Sequence, residues 1–368
     1  MSVIGMEWHK RERYSGVFCG FCIHFSIQSS IFVQTKKEYA KTMKRLTLLL
    51  VVVCSVASLW AQGVTMQTFT FAHRGEKALY LDVYSSNNKE VQPCLVYIFG
   101  GAFLAGQRAE ESVVEVYEYF AQRGWKVVAI DYRLGLLPLL EEPNKKRSLL
   151  EFRSMLIDAI DMATEDLLEA TAFLVSNAES LGIDPSRIVT LGASAGAITA
   201  LQAEWAICNR QPAATLLPPD FNYAGVMAMA GAICAKGREL EWQREPCPVM
   251  LFHGNADRNV PFGTQSLFGV RLFGSESIAE SLHKRAAPYW FYEAENMDHN
   301  LSWRPMYFLR PEMERFAETM VFSGQRLQIH QKVNDMTLPE VEHDFGLRDY
   351  IEANFAPGKP HGVEAATY

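Results

Sequence analysis

Beyond residue 62 the chain alternates short apolar runs with longer amphipathic stretches. Met66 to His73 and Lys77 to Tyr84 alternate apolar and polar residues, the pattern of an antiparallel entry pair. Pro93 to Phe99 and Trp125 to Ile130 are continuous apolar runs, as expected of strands covered on both faces. Between them, Val113, Val114, Val116, Tyr117 and Phe120 form one stripe within Glu110 to Arg123, which predicts a helix. Leu149 to Ser180 reads as a long amphipathic helix stopping near Gly182, and Leu134 to Arg147 before it as an exposed loop. Arg187 to Leu191, Asn222 to Ala230, Pro248 to His253 and Pro288 to Glu293 supply four further strands. Ala195 to Cys208, Thr264 to Arg285 and Met306 to Phe322 are predicted as helical. Strands and helices in this alternation predict an α/β fold with a mostly parallel central sheet and helices on both faces. About eighteen residues separate the strand ending near Gly231 from the one starting near Val249, which leaves no room for a large lid.

One stretch adds chemistry to this pattern. Ser186 to Thr199 runs from a predicted strand through Gly192-Ala-Ser-Ala-Gly196 into a predicted helix. A strand entering a helix through Gly-x-Ser-x-Gly is a nucleophile elbow: the tight turn excludes bulky neighbours and lifts the Ser194 hydroxyl above the sheet. A serine nucleophile needs a base, the base an orienting acid, and the intermediate an oxyanion hole. Asp257 lies in a Gly- and Asn-containing turn past the strand at residues 248–253, and His299 follows the next strand. The order Ser194, Asp257, His299 places each residue on its own loop after a strand, as α/β sheets place their chemistry. Phe99-Gly-Gly-Ala-Phe103 leaves another buried strand, so the amides of Gly100, Gly101 and Ala102, with that of Ala195, are the candidate oxyanion donors, and Gly106 allows the loop to fold back. His343 is a rival base, ranked lower because it lies far down the tail. Asp158 and Asp161 are read as the solvated face of the long helix, His73 as a strand-end residue, and His253 as a packed turn residue.

With these residues in view the sequence resembles an α/β-hydrolase of the carboxylesterase kind. It is similar to secreted bacterial esterases related to acetyl-xylan and feruloyl esterases, and to hormone-sensitive-lipase-like enzymes. The matching residues are Phe99 to Phe103, Asp131-Tyr-Arg133, Gly192 to Gly196, His253-Gly-Asn-Ala-Asp257 with Val260-Pro261, and Asp298-His299. The likeness spans roughly residues 65–325. It implies Ser194 as nucleophile, His299 as base, Asp257 as acid, and Gly101, Ala102 and Ala195 as oxyanion donors. In that family a histidine usually precedes the two glycines where this chain has Phe99; the amide donors survive that change, and the hydrogen bonds by which the histidine would shape the loop do not.

The first 61 residues differ from the rest. Met43-Lys-Arg45, an apolar run from Leu46 to Val53 and a small-residue region ending at Ala61 follow the order of a secretory signal peptide. The apolar run is short for a membrane span. On this reading residues 1–42 are an upstream extension, 43–61 the signal, and 62–368 a single domain with an irregular C-terminal tail. Cys54 offers lipid attachment as a minor alternative, and Cys19 and Cys22, inside the extension, carry no redox or zinc assignment. Residues 1–61 hold eight Lys/Arg and three Asp/Glu, which leaves 27 basic and 39 acidic residues and a formal charge of −12. That balance excludes a nucleic-acid partner. Cys94, Cys208, Cys234 and Cys247 remain, with three disulfide connectivities open. No Cys–His spacing suggests a metal, and the chemistry calls for no cofactor.

The expectation is a secreted or periplasmic serine esterase acting on small soluble carboxylic esters, with acylated carbohydrate as the class that export favours. A peptidase of the prolyl-oligopeptidase type shares the elbow but usually carries a large extra domain. A non-catalytic binding protein on this fold typically lacks one member of the triad.

Overall fold

The computed structural model describes residues 63–341 except 87–89, 143 and 268, and beyond them residues 346, 352 and 353. The extension at 1–42, the signal peptide at 43–61, Cys19, Cys22, Cys54 and His343 lie outside the described residues.

The chain enters with β1 (Thr65–Arg74) and β2 (Lys77–Ser85), paired antiparallel as their alternation predicts. β3 (Gln92–Ile98), helix α1 (Glu111–Ala121) and β4 (Lys126–Ile130) follow. Apolar Val113, Val116, Tyr117 and Phe120 are the buried side of α1. One helical turn, α2 (Pro138–Glu141), interrupts the stretch expected to be loop. The long helix α3 (Leu149–Ser176) starts on Ser148, whose hydroxyl accepts from the Glu151 amide at 3.2 Å, an N-cap that satisfies one free donor of the first turn. It ends at Asn177, before a short α4 (Ala178–Leu181) that closes on left-handed Gly182.

β5 (Ile183–Ala193) then enters α5 (Ala195–Cys208). Every residue of α5 except Trp205 is buried, which accounts for an apolar run with no polar face. β6 (Gly225–Met229), β7 (Ala232–Ala235), β8 (Val249–Gly254), β9 (Thr264–Leu267) and β10 (Val270–Gly274) precede α6 (Ser275–Lys284). The last strands and helices are β11 (Tyr289–Glu295), α7 (Pro305–Phe308), α8 (Arg310–Phe316) and β12 (Gln328–Asn334).

Nine strands form the main sheet in the order β1-β2-β4-β3-β5-β6-β8-β11-β12. β1 with β2 and β2 with β4 are antiparallel; all later pairs are parallel. The strand order reverses direction around β3 and β4, then runs outward, so β5, β6, β8 and β11 stand side by side and deliver the loops that follow them to one edge. This sheet with its crossover helices is the α/β-hydrolase fold.

One expectation is corrected. Thr264 to Arg285 is not one helix: β9 and β10 form a hairpin around Gly269 (φ 91°), and α6 begins only at Ser275. This hairpin pairs with β7 in a separate three-stranded sheet, so the Gly231-to-Val249 connection carries a strand of its own. After Phe322, β12 adds a parallel edge strand beside β11 that was not expected from the sequence, while the end of the tail, expected to be irregular, lies outside the described residues. Only alternate β12 residues are half-buried and the others are exposed, as a polar edge allows.

Candidate active site

Ser194 occupies the turn between β5 and α5 with φ 51° and ψ −116°, a left-handed backbone that a non-glycine residue adopts only where its surroundings enforce it. The Ser194 amide donates to Met229 O at 2.8 Å, which ties the turn to the end of β6. The flanking glycines are required by close approach. A Cβ on Gly192 would lie 2.3 Å from Gly196 O, and one on Gly196 would lie 2.1 Å from Ile98 O. The elbow is therefore wedged between its own helix and β3.

The structure brings Ser194, His299 and Asp257 together. His299 opens a 3-10 turn (His299–Ser302) after β11, capped by Asp298, whose carboxylate accepts from the Asn300 amide. Its Nε2 lies 2.9 Å from Ser194 Oγ and its Nδ1 lies 2.7 Å from Asp257 Oδ2. Asp257 is buried in the turn after β8, and its Oδ1 accepts from the amides of Asn259 (2.7 Å) and Val260 (3.0 Å). The two loops meet through Gly254, where a Cβ would lie 2.1 Å from Met297 O. Burial pushes the Asp257 carboxyl up, but the facing His299 and hydrogen bonds from His253 and His299 outweigh it and hold the group well below the usual carboxylate range. A carboxylate accepting at Nδ1 leaves Nε2 of a neutral His299 as the acceptor toward Ser194.

The glycine-bearing loop lies against the serine: a Cβ on Gly100 would sit 3.3 Å from Ser194 Cβ. Gly101 (φ 114°), Ala102 (φ 53°) and Phe103 (φ 58°) are successive left-handed residues, and Gly101 O accepts the amides of Leu104 (2.9 Å) and Ala105 (3.1 Å). Gly106 folds the loop back onto the Phe99 ring, as a Cβ there would lie 2.5 Å from Phe99 Cδ2. Ala195 stands in the first turn of α5, where a helix leaves its amides without internal partners.

The histidine missing at Phe99 is compensated by a neighbour. The Phe99 ring stacks on Tyr132 at 4.3 Å, and the Tyr132 hydroxyl donates to Phe99 O at 2.9 Å. Burial, with Tyr97 nearby, pushes that phenol far up, so it stays a donor. Its neighbours fasten it on both sides. Asp131 accepts from Arg108 Nη1 at 2.7 Å, and Arg108 also reaches the buried Asp82 at 2.7 Å. Arg133 Nε binds Asp166 of α3 at 2.9 Å, and Arg74 of β1 reaches the same carboxylate. These scaffold roles of Asp131-Tyr-Arg133 are invisible in the sequence because Asp82, Phe99 and Asp166 are distant along the chain.

The remaining candidates lie apart from this constellation. Asp158, Asp161 and His73 are exposed. Cys94, Cys208, Cys234 and Cys247 are free thiols. Burial pushes the Cys234 thiol up to about 12. Among the described residues no helix is long and apolar enough to cross a membrane, and no cluster of three His, Cys, Asp or Glu side chains is arranged to hold a metal.

Fold and site geometry define an α/β-hydrolase with a serine–histidine–aspartate constellation. The model of the carboxylesterase family matches residues 54–203. The chain is 32% identical over 130 residues to fumonisin B1 esterase of Sphingopyxis macrogoltabida, covering 34% of this chain and 22% of that protein. It is 30% identical over 135 residues to gut esterase 1 of Caenorhabditis elegans, covering 36% and 21% respectively. The matches thus span about a fifth of these curated relatives. A propionate-bound esterase of Thermogutta terrifontis superposes with a TM-score of 0.49 at 21% identity, covering 70% of this chain and 94% of that one.

Proposed function

We propose that the protein is a serine carboxylesterase that works through an acyl-enzyme. The single observation carrying this reading is His299 standing within hydrogen-bond reach of Ser194 on one nitrogen and Asp257 on the other. His299 Nε2 takes the Ser194 proton as Oγ attacks the ester carbonyl. Asp257 holds the imidazole tautomer and stabilises the imidazolium. The amides of Gly101, Ala102 and Ala195, on a loop and a helix start beside Ser194, are the donors for the developing oxyanion. The imidazolium then protonates the leaving alcohol. Water, deprotonated by His299, releases the acid and restores Ser194.

Export belongs to the same proposal: residues 43–61 act as a signal, the mature chain starts at Gln62, and small soluble esters, including acyl groups on carbohydrate, are the substrates. Hydrolysis of short p-nitrophenyl esters by a chain starting at Gln62 tests the reaction. Ser194→Ala is expected to lower kcat/KM by about a thousandfold or more. Activity indifferent to Ser194 would contradict the proposal, and preferential cleavage of aminoacyl amides would favour the peptidase instead. N-terminal sequencing of the natively expressed protein tests export, and a mature form retaining Trp8 or Tyr14 would contradict it.

A further inference from the structure

We infer that His253 is a positioning residue for the acid of the triad, donating from its Nε2–H to Asp257 and so setting how strongly that carboxylate holds His299. The inference rests on the proposed esterase reading for its kinetic consequence, though not for its geometry. His253 is fully buried at the penultimate position of β8, four residues before Asp257. Its Nε2 lies 3.3 Å from Asp257 Oδ2 and 3.3 Å from Val260 O. Both neighbours are acceptors, so this nitrogen carries the proton and shares it between them. On the other side, Nδ1 lies 2.7 Å from Ser275 Oγ at the first position of α6. The serine hydroxyl donates there and fixes the Nε2–H tautomer.

Asp257 Oδ2 therefore faces two imidazoles, His299 at 2.7 Å and His253 at 3.3 Å, while Oδ1 is held by two backbone amides. The amides belong to the same short turn as the acid, whereas His253 belongs to a strand inside the sheet and is braced by α6. It is the contact that refers the carboxylate to the rigid part of the fold. The Phe262 ring meets the imidazole edge-on at 5.6 Å and shields it. Glu293, the register partner of His253 on β11, is engaged elsewhere, by His330 at 2.7 Å and Lys332 at 3.0 Å. The titratable groups meeting at Asp257 are thus His299 and His253.

A donor on Oδ2 drains charge from the carboxylate that faces His299. Removing it strengthens the acceptor and favours the imidazolium, while loosening the carboxylate's orientation. His253→Phe is expected to move the acid limb of kcat/KM to higher pH and to lower kcat roughly tenfold to a hundredfold with KM little changed. His253→Gln, whose amide keeps a donor in reach, is expected to restore most of both. A folded His253→Phe with the wild-type pH profile and kcat would overturn the inference. Two measurements stand apart from esterase activity, and the first also from the folding of that variant. Nitrogen-15 NMR of the wild type is expected to show His253 protonated at Nε2 and unprotonated at Nδ1 near pH 7, and the opposite tautomer would overturn the inference. The downfield proton on His299 Nδ1 is expected to shift in folded His253→Phe and to stay near its wild-type position in His253→Gln, and an unchanged resonance in folded His253→Phe would likewise overturn it. A wild type that hydrolyses no ester would fail the esterase reading and leave these spectra to decide the role of His253.

Discussion

Asp257 carries the largest electrostatic asymmetry of the site. It is buried, yet its carboxyl titrates well below the ordinary range because His299 and His253 face it. The unfolded chain therefore binds a proton at Asp257 at a higher pH than the folded one does, and the group stabilises the fold at and above the ordinary carboxylate range, about pH 4, losing that contribution as pH falls further. Thermal unfolding of wild type and Asp257→Asn between pH 2 and 7 is expected to show a difference that is full above about pH 5 and shrinks below pH 4. A difference independent of pH would remove the basis for it. Gly254 is a steric counterpart: a Cβ there would lie 2.1 Å from Met297 O, in the loop that brings His299 to the acid. Gly254→Ala is expected to lower kcat/KM by about a hundredfold, by displacing His299 from Asp257, with a smaller effect on KM. Steady-state kinetics on the folded variant checks this, and wild-type kcat would contradict it. Both residues stood in the sequence as His253-Gly-Asn-Ala-Asp257. Asp257 was legible from its place after a strand, whereas the contact it receives from His299 depends on β8 and β11 being neighbours.

At the scale of elements, the parallel strands and the helices after them were legible wherever burial is two-sided, since β3, β4, the second half of β5 and β8 are nearly continuous apolar runs. The β9–β10 hairpin was not, because Thr264 to Arg285 mixes apolar and polar residues without a clear period and its strands are short. β12 was missed for the opposite reason: Gln328-Ile-His-Gln-Lys-Val-Asn is polar because one side faces solvent, and only its pairing with β11 makes it a strand. The glycine-bearing loop after β3 shows how elements support the proposed site. Phe99 left its hydrogen bonding unaccounted for, and Tyr132, at the end of β4, supplies it from the neighbouring strand. Tyr132→Phe keeps the stacked ring but leaves Phe99 O without that donor. It is expected to cost about 1 kcal/mol of stability and to lower kcat more than it raises KM. Chemical denaturation and kinetics read the two effects, and a kcat unchanged from wild type would show that the loop holds its shape without the hydroxyl.

Across the whole molecule, Asp166 links what the chain separates. It is fully buried on α3 and joins Arg74 from β1 to Arg133 from the loop after β4, beside Glu165 and Glu169, which also bind these arginines. Two guanidiniums on one buried carboxylate fasten the antiparallel end of the sheet to the long helix. Asp166→Ala leaves Arg74 to Glu169 and Arg133 to Glu165 but removes the buried carboxylate they share, and is expected to destabilise the fold by about 1–3 kcal/mol, the range for charged hydrogen bonds. Urea unfolding measures it, and a loss near zero would assign the cluster to the surface. The β5–α5 elbow, the β8 turn and the β11 turn all open on the same sheet edge, and the proposed nucleophile rests on that topology.

The most direct measurement of that claim is covalent. Treating the protein with a fluorophosphonate and mapping the adduct by peptide mass spectrometry is expected to place the phosphonyl group on Ser194, with labelling slowed by orders of magnitude in His299→Ala. An unlabelled protein, an adduct on another residue, or labelling of Ser194 at an equal rate without His299 would contradict a serine activated by the His299–Asp257 pair.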